Sequence, residues 1–131
     1  MESDFVDIRI VGLDEDMTAE SVDRPELRLV FLRLSQTPPP IWRTYFDEAR
    51  KISRHPHWRK AWIDRRFVVV ECVPEEIEAY HLHDLKQDVA QANLRCHAYF
   101  KPKAQAARQK HVADHHVRDR LREIKGRLKF D

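Results

Sequence analysis

Three pairs of histidines are the residues of this sequence whose types and spacing best suit chemistry. The pairs are His55 with His57, His81 with His83 beside Asp84, and His111 with His115. Imidazole nitrogens at such short spacing can bind a metal ion, and the last pair, four residues apart, would share one face of a helix. No His-Glu-x-x-His motif or Cys-x-x-Cys pair accompanies them. We therefore interpret these histidines as exposed or helix-capping residues and predict no metal site and no cofactor.

The two cysteines, Cys72 and Cys96, are the candidate thiol nucleophiles. His81 or His97 could act as the base, but both thiols fall on apolar faces of a predicted strand and helix, where burial raises a thiol pKa and suppresses the reactive thiolate. The chain has no Gly-x-Ser-x-Gly elbow, and its two glycines are too few for a phosphate-binding loop. We predict no catalytic residue. A small metal-dependent enzyme remains an alternative if a histidine pair converges with a carboxylate.

The apolar runs of the sequence are all short. None approaches the roughly 18 residues that span a membrane, and the acidic start Met1-Glu2-Ser3-Asp4 lacks the basic residues of a secretory signal. Buried free thiols are typical of reducing compartments. We therefore expect a cytoplasmic protein with no membrane partner.

Alternating and helical patterns predict the elements that must position these residues. The predicted elements are a strand over 5–11, an acidic loop up to Pro25, a strand over 27–34, a helix over 39–54, a short strand over 58–63, a strand over 67–73 and a long helix after Pro74. The helix stripes Trp42, Tyr45, Ala49, Ile52 and Leu82, Leu85, Val89, Ala92 repeat at an offset of forty residues. This repeat predicts a ββα-ββα pseudo-duplication.

The expected fold is therefore α+β, with a three- or four-stranded antiparallel or mixed sheet and two helices on one face. Residues 1–100 form the predicted core domain, and residues 101–131 form a basic amphipathic helical extension after Lys101-Pro102-Lys103, which interrupts or kinks the long helix. The strands over 27–34 and 67–73 are apolar on both faces. Unless the extension covers the second face, a second subunit must do so, which predicts a homodimer.

Charge is distributed unevenly along the chain. Residues 1–30 hold nine acidic and three basic residues, residues 31–100 hold nine and eleven, and residues 101–131 hold four and ten, so the net charges are −6, +2 and +6. In the basic extension, Val117, Leu121, Ile124 and Leu128 recur at helical spacing. This stripe either packs against its own domain or docks on a partner.

A second candidate surface is the segment that contains Trp58 and Trp62 among basic residues, because Trp and Arg are enriched in binding hot spots. The function we predict is a non-enzymatic protein-protein interaction or adaptor protein that binds through the extension and these tryptophans. The alternative is a nucleic-acid-binding regulator, for which the candidate residues are Arg59, Lys60, Arg65, Arg66, Arg118, Arg122, Lys125 and Lys129.

Overall fold

A computed structural model of the chain describes residues 5–128. Its elements are β1 (Ile10–Glu20), β2 (Arg28–Leu34), α1 (Pro40–Ala49), β3 (Ala61–Asp64), β4 (Phe67–Cys72), a π-helical turn (Ile77–His81) and α2 (Leu82–Arg127). The four strands form one antiparallel sheet in the order β1-β2-β4-β3. The predicted α+β fold is confirmed, and the elements follow the ββα-ββα order.

Two compact units divide the described chain. One is Val6–Cys96, which holds the sheet, α1 and the first part of α2, and the other comprises Phe5 together with the residues from His97 onward. The core lies in the first unit. On one face of the sheet Val30 pairs with Val70 and Leu32 pairs with Val68, and all four side chains are buried. These β-branched and aliphatic residues suit a pleated surface that is covered by other elements.

The other face of the sheet is also apolar at its centre. Trp62, Val69 and Phe31 share one row across β3, β4 and β2. Val69 and Phe31 are buried, whereas Trp62, on the edge strand, is 36% exposed. The prediction that the central strands are apolar on both faces is confirmed, and the homodimer inferred from it stays a prediction.

The first strand lies later in the chain than the sequence pattern predicts. Residues 5–9 precede the strand, and β1 runs through the acidic segment that we expected to be a loop. At the edge of the sheet most side chains of β1 point to solvent, so carboxylates are tolerated there. Arg33 on β2 also faces Asp14 across the strands, at 3.5 Å. Cross-strand ion pairs therefore contribute to this strand in place of an apolar alternation.

Helix α1 is shorter than predicted. It begins at Pro40, where the missing N–H of proline costs nothing, and it buries Trp42 and Phe46, whose rings stack at 5.6 Å. It ends at Ala49, and Ile52, which we placed on its buried stripe, is exposed. After Ala49 the chain leaves the helix, and Arg50 and Arg54 both form ion pairs with Asp88.

Helix α2 continues through Pro102, which lies inside it and does not end it. A proline at this position removes the hydrogen bond to the carbonyl of Ala98. Among the described residues, no helix combines the length and the apolar character needed to cross a membrane.

Candidate functional site

The C-terminal part of α2, together with the residue that follows it, carries an exposed apolar stripe, Val117, Leu121, Ile124 and Leu128. Steps of four, three and four residues place these side chains on one face of the helix. They are 54%, 60%, 38% and 52% exposed. Large apolar side chains that stay in water in a continuous row are typical of a surface that binds another molecule.

Local sequence explains why this segment is helical. Residues 104–110 contain Ala, Gln, Arg and Lys, which have high helix propensity. Lys125 and Arg127 lie in the last turn, where cations interact favourably with the helix dipole. His115 also contacts Asp119 one turn later, at 3.5 Å. The stripe is therefore presented on a regular helix.

Cations surround the stripe and are themselves exposed. Within residues 5–128, no carboxylate forms an ion pair with Arg118, Arg120, Arg122, Lys125 or Arg127. Lys129, another candidate nucleic-acid contact, lies outside the described residues. The segment thus offers a row of apolar side chains beside uncompensated positive charge.

The second predicted surface, around Trp58 and Trp62, borders two cavities of about 430 and 470 Å³. Both cavities are lined by Trp58, Arg59, Lys60 and Trp62. Trp58 is half-buried, and the guanidinium carbons of Arg50 and Arg54 lie 4.1 and 4.7 Å from the centre of its ring. Cation-π contacts therefore hold Trp58 in place, while Trp62 on β3 remains the more exposed of the two.

Asp88 anchors the segment that carries these tryptophans. Its carboxylate accepts hydrogen bonds from Arg50 at 2.7 Å and from Arg54 at 2.5 Å, and it is almost fully buried. Burial lowers the pKa of Arg50, and the hydrogen bond to Asp88 opposes that effect. We did not predict this role, although Asp88 lies three residues after Leu85 and four before Ala92, a spacing that places it on the buried face of α2.

The four cations of the predicted nucleic-acid patch are separated and mostly engaged. Arg59 donates to both carboxylate oxygens of Glu76, at 3.1 and 3.2 Å. Arg65 lies 3.4 Å from Asp64, and Arg66 donates to the carbonyl of Leu34. Arg59 and Lys60 precede β3 whereas Arg65 and Arg66 follow it. The structure thus places the two pairs at opposite ends of β3.

A cluster of Cys72, Glu76 and His81, in which the thiol and the imidazole are buried and the carboxylate is half-buried, lies next to Arg59. The Cys72 thiol, a Glu76 oxygen and a His81 nitrogen are all within 4.8 Å of one another. The π-helical turn explains how Glu76 meets His81, since i→i+5 geometry brings residues five apart onto one face. His81 is buried, so our interpretation of it as an exposed or capping residue was wrong.

The protonation states of this cluster follow from its contacts. Hydrogen bonds from Arg59 and then from His81 hold the pKa of Glu76 at about 2, against the opposing effect of burial. Burial lowers the pKa of His81, and burial raises the pKa of the Cys72 thiol to about 12. Thiolate, neutral imidazole and carboxylate are donors that suit zinc, whereas the raised pKa keeps the Cys72 thiol protonated. Both Glu76 oxygens are nevertheless occupied by Arg59, so the carboxylate already has a cation.

The remaining histidine pairs do not converge on a shared centre in the described part of the chain. His55 pairs with Asp84, His57 stacks on Tyr80 with ring centres 3.9 Å apart, and His83 meets Gln87 at 3.2 Å. His111 and His115 are exposed on α2. Among the paired histidines of the described residues, His81 is the one that lies beside both a carboxylate and a thiol. Its neighbour His83 is not part of that cluster.

Comparison of the chain with protein-family models, with curated proteins and with solved structures found no match.

Proposed function

We propose that this protein is a non-enzymatic interaction or adaptor protein that binds a protein partner through the C-terminal part of α2. The observation that carries the proposal is the exposed stripe of Val117, Leu121, Ile124 and Leu128. Exposing four large aliphatic side chains in one row costs solubility and gains no stability within the chain. Binding of a partner that covers them would gain roughly 25 cal/mol of free energy for each Å² of apolar surface removed from water.

The tryptophan surface supports the same function as a second contact. Trp58 is held in place by Arg50 and Arg54, so that little side-chain entropy is lost when a partner covers it. Trp62 is exposed at the edge of the sheet beside Lys60, which lines both cavities. Tryptophan is among the residue types that are enriched in interaction hot spots.

The proposal is tested with apolar-to-charged substitutions on two faces of α2. The wild-type chain should capture a specific protein both in the presence and in the absence of nuclease. Leu121→Asp and Ile124→Asp should each abolish that capture. Val112→Asp is the matched control, because Val112 is 53% exposed on the same helix but lies nine residues before Leu121, on the opposite face. Equal capture by all three variants would overturn the proposal.

A nucleic-acid-binding regulator is the second candidate, supported by the uncompensated cations of the same helix. Nucleic-acid affinity should fall steeply with salt and should be lost in Arg122→Glu and Lys125→Glu, yet survive Leu121→Asp. Nuclease-sensitive capture with that pattern would replace the adaptor proposal.

A further inference from the structure

We infer that the partner of the stripe is an acidic amphipathic helix of another protein and that a second copy of this chain is excluded from it. The inference rests on the proposed function, since it names the chemistry of the partner that the stripe binds. It follows from the charges on either side of the stripe.

The stripe has the spacing of a coiled-coil seam. Residues 117, 121, 124 and 128 occupy alternating d and a positions of a heptad repeat. The e and g positions that border such a seam are then taken by Arg118, Arg120, Lys125 and Arg127. The carboxylates of the same segment, Asp119 and Glu123, fall at f and c, away from the seam. Every bordering position from 118 onward therefore carries a cation.

This arrangement opposes pairing with a second copy. In a parallel pair, Arg120 at g of one helix would face Lys125 at e of the other. In an antiparallel pair, e would face e and g would face g, which again joins cation to cation. Like charges across an interface are unfavourable, and the charged positions that border a seam set partner choice. A helix with Glu or Asp at its e and g positions would instead pair with all four cations.

The length of the seam limits the strength of the contact. The preceding heptad places Asp114 at a and Lys110 at d, so the apolar seam begins at Val117 and covers about two heptads. Short seams bury little area, and we expect a dissociation constant in the micromolar range. The contact should also weaken with added salt, because the bordering charges are exposed.

The test uses two labelled peptides of three heptads each, both with Leu and Ile at a and d. One carries Glu at e and g, and its twin carries Lys. Fluorescence anisotropy with the full-length chain should show binding of the acidic peptide and at least about tenfold weaker binding of the basic twin. Leu121→Asp should weaken binding of the acidic peptide by a similar factor, whereas Val112→Asp should leave it unchanged.

A charge-reversed variant makes the test specific. With Arg118, Arg120, Lys125 and Arg127 all replaced by Glu, the preference should invert in favour of the basic peptide. Circular dichroism checks that each variant keeps its helix.

Equal binding of the two peptides, or binding of the acidic peptide that survives Leu121→Asp, would overturn the inference. A doubled mass in sedimentation that Leu121→Asp abolishes would do so as well. If the chain captures a specific protein in a manner that depends on Leu121, but the bound segment of that protein is not acidic, this inference is overturned and the adaptor function stands.

Discussion

The two ends of helix α2 use the same residue spacing in opposite ways. Near its start, Leu85, Val89, Ala92 and Cys96 are 0–4% exposed, whereas the stripe at its end is 38–60% exposed. Both series step by three and four residues. The comparison shows that spacing predicts a seam and does not identify what covers it, which depends on the groups that lie opposite.

Polar residues distinguish the two ends as well. Near the start, Asp88 and Asn93 are buried, and each is fully engaged with side chains or backbone from distant parts of the chain. Near the end, the charged side chains are all exposed. Buried and satisfied polar groups mark the part of the helix that belongs to a core.

The largest contrast between the ends should come from their carboxylates. Asp88→Asn leaves the buried guanidinium of Arg50 without its counter-charge and should lower the free energy of unfolding by about 3–5 kcal/mol. Asp119→Asn, in which a half-exposed partner of His115 is lost, should change it by less than about 0.5 kcal/mol. Urea unfolding measures both. A loss below about 1 kcal/mol for Asp88→Asn would contradict the assignment of Asp88 as an anchor.

Matched leucine substitutions should give the next largest difference. Leu85→Ala creates a cavity in the core and should cost about 2–5 kcal/mol, while Leu121→Ala removes an exposed side chain and should lie within about 0.5 kcal/mol of the wild type. Thermal or urea unfolding of the isolated protein measures each value. A comparable loss for Leu121→Ala would mean that the stripe is already covered.

Acidification should weaken the first unit by a smaller amount. Because burial lowers the pKa of His81 below its usual 6.5, the unfolded chain takes up a proton first as pH falls, and stability decreases from about pH 6.5 downward. The pKa of the Glu76 carboxyl is about 2 instead of 4.5. Its contribution to the free energy of unfolding, on the order of 2 kcal/mol, should therefore be lost as pH falls between those values. Unfolding by urea at pH 7, 5 and 3 measures the slope. Glu76→Gln should flatten it below pH 4.5, and an unchanged slope in that variant would contradict the role of Glu76.

Sequence patterns predicted the sheet strands best where burial dictated the residues. The runs over 67–72 and 29–34 are mostly apolar because both faces of these central strands are covered, and the two strands were correctly placed. Strand β1 was not correctly placed, since its acidic residues form ion pairs with Arg28 and Arg33 on the neighbouring strand and do not pack in a core. The stripe of the C-terminal helix was visible as a pattern, whereas its exposure was not.

We considered Cys72 with His81 as a candidate pair, but the sequence did not predict that Glu76 and Arg59 join them. Glu76 and His81 are five residues apart, a spacing that diverges on an α-helix and converges only when the turn is π-helical. Arg59 joins them from a loop seventeen residues earlier than Glu76. Long-range contacts of this kind leave no local period to detect.

The side-chain amide of Asn93 affects the order in which parts of this chain can fold. It accepts from the backbone N–H of Ile8, donates to the backbone carbonyl of Ile8, and also accepts from the indole of Trp42. During synthesis, the segment around Ile8 leaves the ribosome long before Asn93 is made, so its backbone must stay hydrated until α2 emerges. The segment around Ile8 is therefore completed by a residue 85 positions later, and these two parts of the chain reach their native contacts together.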